Sequence, residues 1–155
     1  MNEGWRASLY KKSALEPDWE EARRFHGHLG PWLALGMKMG EEAMRMLKAR
    51  PHFGVTVRVT CRLAPPVSCL IDGLQWMTGA TYGKRNLSAE EGDTPSVLVT
   101  RDETGESVRM TLRPGVPDAI GRLLAEMGDE AASHHLYRMS TSELFEIAKG
   151  RPRSE

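Results

Sequence analysis

Two short segments of this sequence carry the side chains best suited to chemistry. His26 and His28 flank a single glycine shortly before a proline, and Cys69 precedes Asp72 in a later segment. Imidazole nitrogens and cysteine thiolates are ligands that zinc and similar divalent ions prefer. The two segments are therefore candidates for the two halves of one metal or ligand site.

The histidine pair requires a non-helical backbone if both rings are to bind the same ion. Residues two apart in a helix point in nearly opposite directions, whereas in an extended or turned segment they share a face. Gly27 permits unusual backbone angles, and Pro31 disfavours helical angles at the residue before it. A chelating pair is therefore feasible. The alternative is that one histidine caps a helix end and the other is solvated.

Cys69 lies at the start of a predicted helix over residues 68–78, for which Ser68 is the expected N-cap. One face of this helix combines a thiol, a carboxylate, an amide and an indole, from Cys69, Asp72, Gln75 and Trp76. Such a mixed face suits the wall of a pocket. The helix dipole favours a thiolate in the first turn. The alternative is a small cysteine that fills a gap in the core, the role that we assign to Cys61.

A glycine-rich segment, residues 79–86, follows that helix. It is not a P-loop, because its spacing is too short and Arg85 stands where that motif has Ser or Thr. Lys84 and the neighbouring backbone N–H groups would together suit an anionic group. An ordinary solvated turn is the alternative.

The periodicity of apolar residues predicts a single α+β domain, a small antiparallel sheet covered by helices. Two glycines inside the second helix, Gly36 and Gly40, indicate that a helix or a ligand packs very close to its backbone. Ser140 and Glu143 form an expected capping box. The expected helices are 18–25, 31–48, 68–78, 116–127, 129–138 and 142–149, and the expected strands are 54–63, 95–101 and 106–112.

Composition excludes several classes of protein. The chain of 155 residues has 21 basic and 21 acidic side chains, a balance that argues against a nucleic-acid or membrane-surface partner. It has no apolar stretch of about 18 residues and no signal-peptide core at its start, so we expect a cytoplasmic protein. Its two cysteines are expected to be thiols rather than a disulfide.

Taken in order, these segments resemble the FmdE family of formylmethanofuran dehydrogenase components. Members carry His-Gly-His-x-Cys-Pro-Gly before a Leu-Ala-Leu-Gly helix, then Cys-x-x-Asp-Ala-x-Gln and Thr-Gly-Cys-Thr-x-Gly-Lys-Gly-Asn-Leu. This chain follows those motifs over residues 26–36 and 69–87, and the resemblance extends over residues 20–112. The predicted helical part, 116–149, completes the domain of residues 1–155.

The resemblance implies a metal such as zinc bound through histidine and cysteine side chains, and kinship with an accessory subunit of a molybdenum or tungsten enzyme. The expected metal ligands are His26, His28 and Cys69. Asp72 is expected to orient a histidine and Lys84 to hold an anionic group of a small ligand. Gln75 and Trp32 are further candidates beside the ligand, and no catalytic residue is assigned.

Two cysteines of the family motifs are absent, and Gly30 and Ala80 stand in their places. The remaining side chains offer at most three ligands and an open position, the pattern of catalytic rather than structural zinc sites. Alternatively, packing has replaced the lost thiolates, with Trp32 filling the vacated space.

We therefore expect a stand-alone cytoplasmic relative of FmdE, a homodimer that binds a divalent metal, zinc first, or a small anionic ligand, without activity of its own. One alternative is a small metal-dependent hydrolase or lyase in which His28 or metal-bound water acts as base. The other is an accessory subunit that docks to a redox complex and holds no metal.

Overall fold

The computed structural model describes residues 17–152. The chain start, on which the expectation of no signal peptide rests, lies outside these residues. The elements in chain order are α1 (Trp19–His26), α2 (Pro31–Leu47), β1 (Val55–Cys61), α3 (Cys69–Thr78), β2 (Leu87–Glu91), β3 (Ser96–Arg101), β4 (Ser107–Leu112), α4 (Val116–Arg138), α5 (Thr141–Leu144) and β5 (Phe145–Gly150).

The five strands form one sheet in the order β2-β1-β3-β4-β5, and the predicted α+β class is confirmed. The pairs β1–β3 and β3–β4 are antiparallel, as expected, and β4–β5, which the sequence did not predict, is antiparallel as well. The pair β1–β2 is parallel, so the prediction of a wholly antiparallel sheet is wrong at this edge. The chain passes through α3 between these two strands, and such a helical crossover returns the chain in its original direction.

One face of the sheet packs on the helices. Residues of β1 alternate as predicted, and Val55, Val57, Val59 and Cys61 are buried in the main core. Valines of β3 and apolar residues of β4 extend the same buried surface. None of the helices within residues 17–152 combines the length and apolar character that a membrane crossing requires.

The end of the chain differs from the prediction of a helix over 142–149. Ser140 caps α5, because its hydroxyl accepts the N–H of Glu143 at 3.3 Å as expected. The helix ends at Leu144, and the next residues form β5, in which Phe145 lies opposite Leu112 of β4. Pairing with an otherwise open strand edge therefore overrides the local helical pattern. The predicted break within 116–138 is present at Gly128, which has a φ of 80° and a ψ of 175°.

Helices α2 and α3 approach each other through glycine. A Cβ atom on Gly36 would lie 2.0 Å from the carbonyl oxygen of Leu70, and one on Gly40 would lie 2.9 Å from the Cβ of Met77. The prediction that a helix packs against this backbone is confirmed. Because the contacts advance in the same direction along both helices, the two N-termini lie at the same end of the pair.

A buried polar cluster joins α2 to α4. The Nζ of Lys38 donates to the carbonyl oxygen of Tyr137 at 2.7 Å, and the Tyr137 hydroxyl donates to the carboxylate of Glu41. Burial lowers the pKa of Lys38 and raises the pKa of Glu41. Both shifts have the same largest cause, since desolvation penalises the charged form of each group.

Replacing Glu41 by glutamine should remove one source of pH-dependent stability. The folded-state pKa of Glu41 lies above its ordinary value of 4.5, so between these values the folded protein binds more protons than the unfolded chain. The contribution of Glu41 to stability therefore falls as pH rises through that window. Glutamine still accepts a hydrogen bond from Tyr137 but does not titrate. Urea unfolding from pH 4.5 upward should show Glu41→Gln gaining stability relative to the wild type. If the unfolding free energies of the two proteins instead change in parallel with pH, Glu41 is solvated in the folded protein as it is in the unfolded chain.

Candidate functional site

The first histidine of the pair is held by a carboxylate. Helix α1 ends at His26, where Gly27 takes the left-handed conformation with a φ of 109°. The Nδ1 of His26 lies 2.6 Å from an oxygen of Asp72, and the His26 side chain is only 9% exposed. An imidazole that donates from Nδ1 to a carboxylate keeps its Nε2 as the acceptor, which is the orientation found in metal-binding histidines. The expected contact between Asp72 and a histidine is therefore present.

The second histidine lies beside the first. The ring centroids of His26 and His28 are 5.1 Å apart, with an angle of 33° between the planes, and His28 is exposed. The ring of His28 lies over Gly30, because a Cβ atom added there would be 3.0 Å from Nε2. The backbone of Gly30 is extended, with a φ of −139°, and any residue adopts that conformation. The missing side chain of Gly30 therefore leaves space for the imidazole, and the backbone conformation itself does not require glycine.

Cys69 begins α3, at the same end of the helix pair as the histidines. Its side chain is partly buried and packs against the main core. Ser68 is the N-cap residue as predicted, but its side chain makes no capping hydrogen bond. The first N–H groups of α3 instead donate to the preceding turn, that of Cys69 to Pro66 at 3.1 Å and that of Leu70 to Val67 at 3.1 Å.

The surroundings of Cys69 disfavour its thiolate form. Burial raises its pKa, and the negative charge of Asp72 raises it further. This direction is opposite to the lowered pKa that the helix dipole alone predicts for a cysteine in the first turn. The role of Cys69 as a third metal ligand stays a prediction.

Gln75 and Lys84 lie at the other end of α3. The Nζ of Lys84 donates to the Thr81 hydroxyl at 2.9 Å, and the side-chain oxygen of Gln75 accepts the N–H of Tyr82 at 3.2 Å. The N–H of Thr81 donates to the side chain of Asn86 at 3.0 Å. These groups build the turn itself, which the sequence could not reveal because a bound anion and an internal network need the same residue types.

Trp32 belongs to the protein interior. It is 7% exposed and packs in the main core with Leu35 and Met39. On α4, residues 133–135 differ in exposure, although their polar sequence suggests a surface segment, and only His135 is exposed. Ser133 is fully buried, and the ring of His134 meets the edge of Trp19 with a centroid distance of 4.6 Å.

The site brings two imidazoles together without a complete set of metal ligands among the described residues. Among residues 17–152, no set of three or more His, Cys, Asp or Glu side chains has an arrangement that could hold a metal ion. Two adjacent imidazoles, one of them fixed by Asp72, are present instead. Imidazole nitrogen suits Zn²⁺, Ni²⁺ and Co²⁺.

Comparison with known proteins identifies the family of the chain. The family model described as FmdE, molybdenum formylmethanofuran dehydrogenase operon, matches residues 25–148. The chain belongs to this family. The resemblance recognised in its sequence motifs is thereby confirmed.

Two individual proteins are similar to this FmdE-family chain. A probable S-adenosyl-L-methionine-binding protein of Archaeoglobus fulgidus is 29% identical over an alignment of 113 residues that covers 69% of this chain and 30% of that protein. The chain thus spans less than a third of that relative. The crystal structure of a tungsten formylmethanofuran dehydrogenase FmdE-like protein from Syntrophus aciditrophicus matches with a TM-score of 0.60 and 21% identity, covering 93% of this chain and 73% of that one. At this identity the likeness shows the fold.

The two motif positions without cysteine lie in different places in this FmdE-family fold. Gly30 lies against the imidazole of His28. Ala80 follows the C-terminal end of α3 and is fully buried in the main core. Of the two substitutions, only the one at position 30 therefore bears directly on the histidine pair.

Cys61 is expected to contribute to stability alone. It is fully buried on the inner face of β1, and burial raises its pKa. Replacing Cys61 by alanine should lower the free energy of unfolding by roughly 1 kcal/mol, because it leaves a small void in the core. Zinc content, measured on the same preparation, should not change. A fall in zinc content without a loss of stability would mean that Cys61 is the metal ligand and Cys69 the core residue.

Proposed function

We propose that this FmdE-family chain binds one divalent metal ion, zinc first, through the Nε2 atoms of His26 and His28. The observation that supports this most is the 2.6 Å contact between Asp72 and Nδ1 of His26. A carboxylate that backs an imidazole in this way fixes its tautomer and raises its basicity toward a metal. The neighbouring His28 ring, with its centroid 5.1 Å away, supplies a second nitrogen of the same kind.

Of the two proposed ligands, one is fixed and the other can move. His26 is fixed, because it is mostly buried and bonded to Asp72. His28 is exposed, so its ring can turn toward an ion without disturbing the core. Two protein nitrogens leave positions for external ligands, and an ion bound there would supply a Lewis-acidic open position.

The surroundings favour an anion as the external ligand. The N-cap of α2 is Gly30, which provides no side-chain hydrogen bond to the first turn. The positive end of that helix dipole therefore stays available to a negatively charged group beside the histidines. A small anionic ligand that completes the coordination is the second element of the proposed function. Cytoplasmic location and a homodimer belong to the same proposal, and no catalytic step is assigned to the chain.

Metal analysis tests this function directly. Freshly purified protein, and protein dialysed against Zn²⁺, should retain about one ion per chain, while His28→Ala should lose it under the same conditions. His135→Ala is the matched control, since His135 is an exposed histidine on α4 and should leave zinc content unchanged. A wild-type protein that retains no more zinc than His28→Ala would contradict the proposal. It would favour the metal-free accessory subunit instead.

A further inference from the structure

We propose that two loops at the C-terminal end of α3 form a docking surface for an acidic segment of another protein. The surface, named the aromatic-basic patch, consists of residues 48–54 and 79–86. It lies at the opposite end of α3 from the histidine pair, and the inference does not rest on the proposed metal site. Its exposed cationic and aromatic side chains are Lys48, Arg50, Phe53, Tyr82 and Arg85, and Lys84 is half-buried beside them.

The patch exposes two aromatic rings. Phe53 is 78% exposed and Tyr82 is 68% exposed, more than any other large apolar side chain among residues 17–152. A cation lies over each ring. The Nζ of Lys84 is 5.7 Å from the centre of the Phe53 ring, and the guanidinium carbon of Arg85 is 4.8 Å from the centre of the Tyr82 ring. Exposed aromatic and arginine side chains grouped in this way are typical anchors of protein–protein interfaces.

The charges of the patch have one sign. Its two segments contain two lysines and two arginines but no aspartate or glutamate, although the whole chain has 21 basic and 21 acidic residues. The turn after β3 meets the patch, since the N–H of Asp102 donates to the carbonyl oxygen of Gly54 at 3.1 Å. The carboxylate of Asp102 accepts the hydroxyl of Thr56 at 2.7 Å, and Glu103 pairs with Arg101 at 3.2 Å. These two carboxylates are therefore bonded outside the patch, which complements negative charge on a partner.

The backbone of the patch is held in uncommon conformations. Among residues 17–152, the non-glycine residues with positive φ are Lys48, His52 and Arg85, at 51°, 70° and 64°, and all three lie in the patch. The side-chain amide of Asn86 donates to the carbonyl oxygen of His52 and, at 3.1 Å, to that of Val55, which ties the two segments together. Such outliers persist where the surroundings over-determine them, and they cluster at functional sites. The rings and cations are thus pre-organised for a partner.

A protein segment fits this surface better than a phosphate backbone or an anionic bilayer. A nucleic-acid strand or a membrane extends well beyond the patch, and the chain offers it no net positive charge. Acidic side chains also follow the patch along the edge of the sheet, where β2 carries Glu90 and Glu91. A short acidic segment with interspersed apolar residues places its carboxylates on the cations of the patch and its apolar side chains on the two rings.

Fluorescence anisotropy with a labelled synthetic peptide tests the inference. The probe is a short peptide of repeated Glu-Glu-Leu, and the same peptide with glutamine in place of glutamate is its neutral counterpart. Wild-type protein should bind the acidic peptide at low ionic strength and should not bind the neutral one. Tyr82→Ala and Arg85→Gly should each weaken binding about fivefold or more. Arg122→Ala is the matched control, because Arg122 is an exposed arginine on α4 and should leave binding unchanged.

Arg85→Gly keeps this test independent of folding. Glycine adopts a positive φ without strain, so this variant should be at least as stable as the wild type in urea while it binds the peptide more weakly. Equal binding by the wild type and Arg85→Gly, or equal binding of the acidic and neutral peptides, would overturn the inference. Stronger binding of single-stranded oligothymidylate or of phosphatidylserine vesicles than of the acidic peptide would also overturn it, in favour of a nucleic acid or a membrane.

Discussion

Replacing Gly36 by alanine is expected to destabilise the protein by about 3 kcal/mol or more, the range of severe overpacking in a core. The added Cβ would lie 2.0 Å from the carbonyl oxygen of Leu70 and 2.7 Å from its carbonyl carbon. Both atoms belong to the backbone of α3, so no side-chain rotation relieves the clash. The two helices must move apart, and contacts along their whole interface weaken. Urea denaturation measures the loss directly.

Gly121→Ala is the matched control for Gly36→Ala. Gly121 lies in α4, is exposed, and has nothing within 4 Å of a Cβ added to it. Alanine favours a helix over glycine by about 1 kcal/mol, so this variant should be as stable as the wild type or more stable. If Gly36→Ala lowers the free energy of unfolding and Gly121→Ala does not, the destabilisation comes from the α2–α3 contact. Equal effects of both substitutions would show that the two backbones are not so close.

Replacing His26 by alanine should have the largest effect on metal binding. It removes one of the two proposed nitrogen ligands, and we expect Zn²⁺ affinity to fall at least 100-fold, about 2.7 kcal/mol. His26 is also the ligand whose orientation is fixed by Asp72, so its loss removes the pre-organised half of the site. Calorimetric titration with Zn²⁺ compares the variant with the wild type.

Asp72→Asn supplies the graded comparison for His26→Ala. Loss of a carboxylate behind a metal-binding histidine typically costs 10- to 100-fold in affinity, roughly, and the imidazole itself remains. Asp72→Asn should therefore bind Zn²⁺ more weakly than the wild type but more tightly than His26→Ala. The reverse order would mean that Asp72 contacts the ion itself and that His26 only supports it.

Much of the local structure was predictable from sequence signals that act over a few residues. Asp18 caps α1 through the N–H of Glu21 at 3.2 Å, and Gly27 ends that helix in the left-handed conformation. The alternation along β1 and the start of α2 at Pro31 follow the same kind of local rule. The contact of Asp72 with a histidine was also expected, as an implication of the family resemblance, and the structure shows that this histidine is His26.

The features that the sequence did not reveal depend on contacts between residues that are distant in the chain. Strand β5 exists because β4 offers an open edge, and β2 carries too few apolar residues to show a periodic pattern. The thiolate expected at Cys69 is disfavoured by burial against the core, which raises the pKa of the thiol. The place of His28 over Gly30 is set by one ring orientation, for which a sequence has no signal.

The most direct test of the proposed site is the X-ray absorption spectrum of wild-type protein loaded with one equivalent of Zn²⁺. We predict a first coordination shell of nitrogen and oxygen at about 2.0–2.1 Å, with the outer-shell scattering of two imidazoles. A shell dominated by sulfur at about 2.3 Å, or zinc coordinated by water alone, would contradict a site built on His26 and His28.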